Sequence, residues 1–336
     1  MRSAARVFVA LMLTAVAATG CGGRQDAPNA DSGGEITCMV GADTRVSIAT
    51  GNATGVYFSL GNAYAEQISA ATAGAVKATA AETGASVQNI QQLVSGSYQL
   101  AFSLADTAGD AVEGKGSFDG EKQPVQAISR IYPNYTQVIV KTDSGITSIA
   151  DMRGKRISTG SPGSGTEVIA NRLLMAAGLN PESDVSAQRL NLTKTVDGMK
   201  DGAIDAMFWS GGLPTPGITD LLTSARDDVA FLDITGQLPE MQKLSPAYEE
   251  GVIPADTYGL PADVKTIVVP NMLLVRDDFD ANLACVLTMI LFERKQKLEQ
   301  VVSAAKGISL DTARRTEPVP LNRGAERALN DLNAAK

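Results

Sequence analysis

Between about residue 45 and residue 305, the chain alternates short β-branched runs with longer segments of helical periodicity. Strands that alternate with helices are typical of α/β architecture, in which helices cover a sheet. Extended segments interrupt the alternation near residue 136 and near residue 265. We therefore expect two α/β lobes joined by extended strands.

The extended segments set the predicted lobe boundaries. Residues 125–131 and 135–141 predict two separate strands, and residues 264–275 predict a long strand interrupted at Pro270. The long strand can pass back between the lobes. The prediction assigns 36–135 plus 265–336 to lobe I and 136–264 to lobe II.

The first residues have the pattern of an export signal. Arg2 and Arg6 precede an apolar run over residues 7–18, and the sequence ATGC then ends at Cys21. The run has about half of the ~20 residues that a membrane-spanning helix needs, so we expect a cleaved lipoprotein signal peptide over residues 1–20. A lipoprotein peptidase would leave Cys21 acylated; ordinary signal cleavage beside an incidental cysteine is the alternative.

A flexible tether is predicted over residues 21–35, because residues 22–34 contain no large apolar side chain. The best later apolar run, 284–292, is better explained as the buried face of a helix. Attachment to the membrane would therefore depend on the lipid. The expected location is extracytoplasmic, as a lipoprotein of the cell membrane.

Composition excludes several functions. The net charge is −8, with acidic and basic residues interspersed, which argues against nucleic acid as a partner. The chain has no histidine, so a Ser-His-Asp triad, a Cys-His pair and a histidine-ligated zinc site are excluded. Cys38 and Cys285 can form a disulfide in an exported protein or remain buried thiols. We expect no metal and no cofactor.

The first candidate binding segment is the turn IATGNATGVYF at residues 48–58. A predicted strand enters a turn that contains Gly51 and Gly55, and a helix follows. Such a turn presents the free N–H groups of the first helical turn, with the hydroxyls of Thr50 and Thr54, to a carboxylate or phosphate. A tight strand-to-helix turn without a ligand is the alternative.

A second turn of this kind is STGSPGSGTE at residues 158–167. Gly160 and Gly165 have the spacing of a nucleotide P-loop, but Thr166 stands where that motif requires a lysine. Ser164 does not fit a nucleophile elbow, because Pro162 occupies the glycine position and no histidine can activate the serine. The segment therefore predicts a second anion-binding turn, in lobe II.

Two such turns in separate lobes suggest a ligand clamped across a cleft. Each helix N-terminus attracts an anion, and closure of the cleft excludes water from both turns. This arrangement favours an acidic metabolite with hydrogen-bonding groups at both ends.

Three further segments can line the cleft. Ser86 and Asn89 stand at a predicted helix start, where a simple helix cap is the alternative. Tyr132 lies where the chain leaves lobe I, and packing at the hinge is its alternative role. Trp209 and Ser210 follow a strand end, where binding residues of α/β sheets concentrate. A core position is the alternative for Trp209.

These segments together resemble a known family. TGNATGVYFSLG, ASVQN, IYPN, DSGITSIADMRGKRIS leading into GSGTE, and IDAMFWSGG are similar, in this order, to the TAXI group of TRAP-transporter solute receptors. The resemblance runs from about residue 45 to Gly324, and TGVYF with GSGTE is its most specific part. It implies a type II periplasmic-binding-protein fold, capture of an organic acid such as glutamate or a dicarboxylate, and delivery to an ion-driven TRAP-type membrane permease.

The turns and the resemblance together give the predicted ligand-binding set. It comprises Thr50, Gly51, Asn52, Thr54, Gly55, Tyr57, Ser86, Asn89, Tyr132, Gly163, Ser164, Gly165, Thr166, Glu167, Trp209 and Ser210. We expect a monomer and no enzyme, because no nucleophile, metal cluster or cofactor loop accompanies carboxylates such as Asp205 and Glu167. A receptor for an ABC importer and a ligand-sensing lipoprotein are the alternatives.

Overall fold

The computed structural model describes residues 34–335. The predicted signal peptide at residues 1–20, the acylation of Cys21 and the tether up to residue 33 lie outside the described residues. Within residues 34–335, strands and helices alternate as the sequence predicts.

The secondary structure positions the site described below. The strands are β1 (Thr44–Ala49), β2 (Val76–Ala81), β3 (Leu100–Leu104), β4 (Val125–Lys141), β5 (Arg156–Ser158), β6 (Ser186–Gln188), β7 (Ala206–Gly211), β8 (Val229–Phe231), β9 (Glu249–Ile253) and β10 (Val264–Arg276). The α-helices are α1 (Val56–Ala71), α2 (Ser86–Val94), α3 (Ala105–Glu113), α4 (Gly165–Ala176), α5 (Leu192–Lys200), α6 (Pro216–Ala225), α7 (Leu238–Leu244), α8 (Ala255–Tyr258), α9 (Ala281–Glu293), α10 (Lys295–Val301) and α11 (Arg323–Ala334).

The strands of the described chain form one mixed sheet with the order β2-β1-β3-β10-β4-β7-β5-β6. Strand β1 is parallel to β2 and β3, and β5 is parallel to β6 and β7. Strands β4 and β10 are antiparallel to each other and to the strands beside them. Two parallel groups, one in each lobe, therefore flank a central antiparallel pair.

The two central strands connect the lobes by exchanging partners along their length. Residues 271–274 of β10 pair with β3, whereas residues 264–268 pair with β9. Similarly, residues 135–140 of β4 pair with β7. These pairings place both crossings inside continuous strands, and the proposed lobe division at 135/136 and 264/265 stays a prediction.

The prolines of the central strands do not interrupt them. Strand β4 is continuous, so the prediction of two strands at 125–131 and 135–141 was wrong, and β10 continues through Pro270 with a shift of register before Met272. Pro133 lies opposite Pro270. Because proline has no N–H to donate, pairing the two prolines places both missing donors at one point of the ladder.

Helix α3 is not predicted by the sequence pattern. Its residues, ADTAGDAVE, are mostly small or polar, and Val112 is the one large apolar side chain among them, so the segment has too little apolar content to mark a buried helix. The helix nevertheless buries Asp106 and Asp110, and both carboxylates are ion-paired with Arg172 of α4. A partner distant in sequence therefore explains why these acidic residues are in the interior.

The apolar core lies on both faces of the sheet. In α1, Val56, Leu60, Tyr64 and Ile68 recur at the spacing of one helix face and are buried. A separate apolar cluster in lobe II surrounds Met207. In the part of the chain that the structure describes, no helix has the length and apolar character needed to cross a bilayer.

Cys38 and Cys285 form a disulfide with a Cα–Cα distance of 5.2 Å. The bond joins the segment before β1 to α9 and spans 247 residues of sequence. Such a long covalent loop restricts the unfolded chain strongly. Neither cysteine belongs to either predicted anion-binding turn.

Replacing both cysteines by serine should lower the stability of the protein without changing its ligand affinity. We expect a loss of about 2–4 kcal/mol in the free energy of unfolding, because the unfolded chain gains conformational entropy. Denaturant titration measures this loss. A reductant should destabilise the wild type similarly and leave the double variant unchanged; equal stability of both oxidised proteins would contradict the expectation.

Candidate ligand-binding site

A cavity lies where the two predicted turns meet between the lobes. It is lined by Gly51, Asn52, Gly55, Val56, Tyr57, Gly84, Ala85, Ser86, Leu104, Tyr132, Asn134, Ser161, Ser164, Gly165, Thr166, Trp209, Ser210, Gly211 and Gly212. Its volume is about 30 Å³, which gives room for about two water molecules. An organic acid is larger than this volume, so the lining must lie farther apart when such a ligand is bound.

The N-termini of α1, α2 and α4 border this cavity. The residues before α1 and α2 are Gly55 and Ala85, and neither helix has a side-chain cap. Helix α4 is capped by Ser164, whose hydroxyl accepts a 3.0 Å hydrogen bond from the Glu167 N–H. The first N–H groups of a helix have no intrahelical partner and lie at the positive end of its dipole. The cavity is therefore suited to an anion.

The side chains that line the cavity in the described structure include no charged group. Two carboxylates lie nearby, and both are engaged elsewhere. Glu167 pairs with Arg189 and accepts from the Gly163 N–H at 2.8 Å. Asp106 accepts from Arg172 at 2.9 Å. Electrostatic attraction inside the cavity thus comes from the helix N-termini and from neutral polar groups.

A chain of neutral polar side chains forms the floor of the cavity. The Tyr57 hydroxyl donates to Asn271 Oδ1 at 2.5 Å, and Asn134 Nδ2 donates to the same oxygen at 3.1 Å. Asn271 Nδ2 in turn donates to the Tyr132 carbonyl at 2.9 Å. The Ser210 hydroxyl donates to Asn134 Oδ1. Asn134 and Asn271 adjoin the paired prolines, so the floor is built on the strands that connect the lobes.

The Tyr132 hydroxyl differs from these groups because it has no hydrogen-bond partner within residues 34–335. Only 1% of Tyr132 is exposed. Burial raises the pKa of Tyr132 well above its usual value, as it does that of Tyr57. Both hydroxyls therefore stay neutral at physiological pH. Tyr132 therefore keeps a hydroxyl proton that no described group accepts.

Direct contacts hold the two turns together across the cleft. Asn52 Oδ1 accepts from the Leu192 N–H at 3.0 Å, and its side-chain amide hydrogen-bonds the Ser161 hydroxyl at 3.1 Å. The Gln88 N–H donates to the Gly163 carbonyl at 3.0 Å. These bonds join residues of opposite lobes, so the lobes are in direct contact in this structure.

Trp209 forms an aromatic wall of the cavity. A Cβ placed on Gly55 would lie 3.3 Å from the Trp209 ring, so a larger residue at this position would require a small displacement of the ring. The indole N–H donates to Thr215 Oγ1 at 3.1 Å. The ring also belongs to the apolar cluster of lobe II. Trp209 is thus both a core residue and a lining residue.

A buried ion-pair network crosses the lobes behind the cavity. Arg172 of α4 donates to Asp106 at 2.9 Å, to Asp110 at 2.5 Å and to the Tyr248 hydroxyl at 3.1 Å. Burial opposes the charge of Arg172, but Tyr248 and the two carboxylates outweigh it and keep the guanidinium pKa above its ordinary value. Burial raises the pKa of Asp110, although Arg172 opposes this shift.

The structure brings most of the predicted site residues together. Those in the cavity lining are Gly51, Asn52, Gly55, Tyr57, Ser86, Tyr132, Ser164, Gly165, Thr166, Trp209 and Ser210. Thr50, Thr54, Asn89, Gly163 and Glu167 lie outside the lining, in contact with its framework. Asn89, for example, donates to the carbonyls of Thr50 and Phe102 at 2.7 and 2.8 Å.

Several lining residues are absent from the predicted set. Ser161 and Gly211 fall within motifs recognised in the sequence, so their position carried a signal. Asn134 also follows Tyr132 within the IYPN segment. Gly212 likewise falls within the IDAMFWSGG motif. Leu104 carries no local signal, because only the packing of the lobes brings it to the cavity. The described residues contain no group of three or more His, Cys, Asp or Glu side chains arranged to hold a metal.

Similar solved structures define the fold. One is the alkanesulfonate-binding protein SsuA from Xanthomonas axonopodis pv. citri bound to MOPS, with a TM-score of 0.50 and 16% identity over 87% of this chain and 85% of that chain. Another is a binding protein component of an ABC phosphonate transporter from Pseudomonas aeruginosa, with a TM-score of 0.53 and 13% identity over 87% and 96%. The chain has the α/β periplasmic-binding-protein fold, as the sequence predicts.

The family follows from the sequence match. Residues 48–331 match the model of the NMT1-like family. Because this match covers most of the chain, the protein belongs to the NMT1-like family. The matched range includes both turns and both strands that connect the lobes.

Replacing Gly165 by alanine should hold the cleft open. Gly165 is a helical residue, so its backbone accepts alanine, but the new Cβ would lie 2.5 Å from Leu104 Cδ1 and 2.7 Å from Ser86 Oγ. Both of these residues belong to lobe I. We expect a larger radius of gyration in X-ray scattering and a ligand affinity at least about tenfold lower, because closure loses roughly 1.4 kcal/mol or more.

Gly236→Ala is the matched control for this variant. Gly236 lies in lobe II, and a Cβ at this position meets nothing within 4 Å. It should leave the radius of gyration and the affinity unchanged. A Gly165→Ala protein as compact as the wild type would show that the closely opposed turns do not limit closure.

Proposed function

We propose that this protein is an extracytoplasmic solute receptor that captures a small organic acid between its lobes and delivers it to a TRAP-type membrane permease. The observation that carries the proposal is the cavity shared by both lobes, where the N-termini of α1, α2 and α4 meet without a charged side chain in the lining. Helix N-termini bind anions with N–H groups and dipoles.

Binding would couple the ligand to lobe closure. In the open form each lobe offers one anion-binding turn, and a ligand that contacts both turns favours the closed form. The bonds of Asn52 with Ser161 and Leu192 form only when the lobes meet. The closed surface is then the form that a permease can recognise.

The resemblance to the TAXI group supports a TRAP permease as the partner. The segments that carry it, TGVYF and GSGTE, contribute residues to the cavity. The proposed receptor is a monomer anchored through acylated Cys21. A signal peptide, the tether and the lipid would keep it at the outer face of the cell membrane.

An ABC importer is the second candidate partner. The observation that favours it is the similarity in fold to the binding component of an ABC phosphonate transporter. Both candidates require the same binding step and differ in the source of energy. Ligand uptake into cells that produce the receptor separates them: an ionophore should stop TRAP uptake, whereas ATP depletion at constant ion gradient should stop ABC uptake.

A thermal-shift panel of amino acids, hydroxy acids, dicarboxylates, sulfonates and phosphonates tests the binding function. A ligand at a hundred times its Kd stabilises the folded state by about 2.7 kcal/mol, which raises the melting temperature of a chain of this size by about 4 °C. We expect at least one acid to do so. If no acid shifts the transition, the receptor proposal fails.

Asn52→Asp tests whether the bound group is an anion. The substitution keeps the size of the side chain and adds a negative charge to the lining, so repulsion should lower the affinity for an acid by about 10- to 100-fold. The loss should exceed that of Asn52→Ala, which removes the bonds to Ser161 and Leu192 without adding a charge. Isothermal titration calorimetry measures the change. Asn62→Asp, on the exposed face of α1, is the matched control and should bind like the wild type. Equal affinities in both variants would contradict anion binding in this cavity.

A further inference from the structure

The cavity lining restricts which charged groups the ligand can carry. This inference rests on the proposed receptor function. An α-amino acid carries an ammonium group as well as its carboxylate, and a buried ammonium needs a carboxylate partner. Among residues 34–335 no acidic side chain lines the cavity. Asp106 and Glu167 are already paired with Arg172 and Arg189, and Glu82 lies outside the lining, where it accepts from the Ala53 N–H. An amino acid would therefore bury its ammonium unpaired.

A second carboxylate on the ligand would also lack a partner. The lining of the described structure contains no arginine or lysine, and Arg172 is committed to Asp106 and Asp110. Each helix N-terminus supplies about half a unit of positive charge. The N-termini of α1, α2 and α4 together therefore supply about one and a half units, which neutralises one carboxylate fully and leaves a second one only half balanced.

The position of one further ligand group follows from Tyr132. Tyr132 lines the cavity, and its hydroxyl is buried and has no partner in the described part of the chain. The neighbouring polar groups are occupied, since Tyr57 donates to Asn271 and Ser210 donates to Asn134. A buried hydroxyl without a hydrogen bond is unfavourable. A ligand atom that accepts from Tyr132 would remove this cost on binding.

We infer that the ligand is a singly charged organic acid without an ammonium group, that its acid group lies at the N-termini of α1, α2 and α4, and that Tyr132 donates a hydrogen bond to it. This assignment departs from the glutamate or dicarboxylate that the TAXI resemblance implies. The reason is the neutrality of the lining, which leaves both the ammonium and a second carboxylate without partners.

Three acids with one carbon skeleton test the charge assignment. Isothermal titration calorimetry on the purified full-length protein compares 2-hydroxybutyrate, 2-aminobutyrate and malate, which differ by an ammonium group or by a second carboxylate. We expect 2-hydroxybutyrate to bind at least about tenfold more tightly than the other two. Equal or tighter binding of 2-aminobutyrate or malate overturns the inference.

The outcome also separates this inference from the receptor function. If none of the three probes binds, the charge assignment is overturned, and the wider acid panel decides whether the protein is a receptor. Binding of an amino acid or a dicarboxylate in that panel would leave the receptor function intact. If no acid in either experiment binds, both the charge assignment and the receptor function are contradicted.

Tyr132→Phe tests the hydroxyl contact. The variant keeps the ring and deletes an unpartnered hydroxyl, so the melting temperature without ligand should stay equal or rise, while the affinity for 2-hydroxybutyrate should fall about tenfold. Tyr64→Phe is the control, because the Tyr64 hydroxyl is equally buried but donates to the Leu287 carbonyl at 2.6 Å. Tyr64→Phe should lower the melting temperature and leave the affinity unchanged. Unchanged affinity in Tyr132→Phe overturns the contact.

Discussion

The meeting of the two glycine-containing turns through Asn52 determines the rest of the site. Asn52 lies in the turn before α1, yet its side chain bonds the Ser161 hydroxyl and accepts from the first N–H of α5, at Leu192. As the first N–H of the helix, it has no intrahelical partner. A single buried amide of lobe I thus satisfies groups of lobe II, and this fixes the distance between the helix N-termini that face the ligand.

The approach of the turns depends in turn on the strands that join the lobes. Strands β4 and β10 cross together, and both carry a proline at the same level of the ladder, Pro133 and Pro270. The asparagines that form the floor of the cavity, Asn134 and Asn271, directly follow these prolines. Residues at the point of crossing keep their position relative to both lobes, so the floor can hold a ligand while the lobes move.

The sequence predicted the parts of the site that are local. Glycines and hydroxyl residues between a strand and a helix identified both turns, and the cavity does form between them. The sequence could not predict that the Asn89 side-chain amide donates to backbone carbonyls rather than to a ligand. This depends on the positions of Thr50 and Phe102. The sequence pattern also did not predict that α3 is buried. Its acidic residues are paired with Arg172, which lies some sixty residues away along the chain.

The ion-pair network behind the cavity affects the free energy of lobe closure. Asp106 and Asp110 belong to lobe I, and Arg172 belongs to lobe II, so the closed state must remove all three charges from water. The attraction between buried charges roughly offsets that loss of hydration and rarely exceeds it by much. The network therefore determines how the lobes are oriented when they close, and it contributes less to the free energy of closure. Because a buried network of this kind is weak evidence for stabilisation, the free energy of ligand binding is the contribution that shifts a receptor toward its closed form.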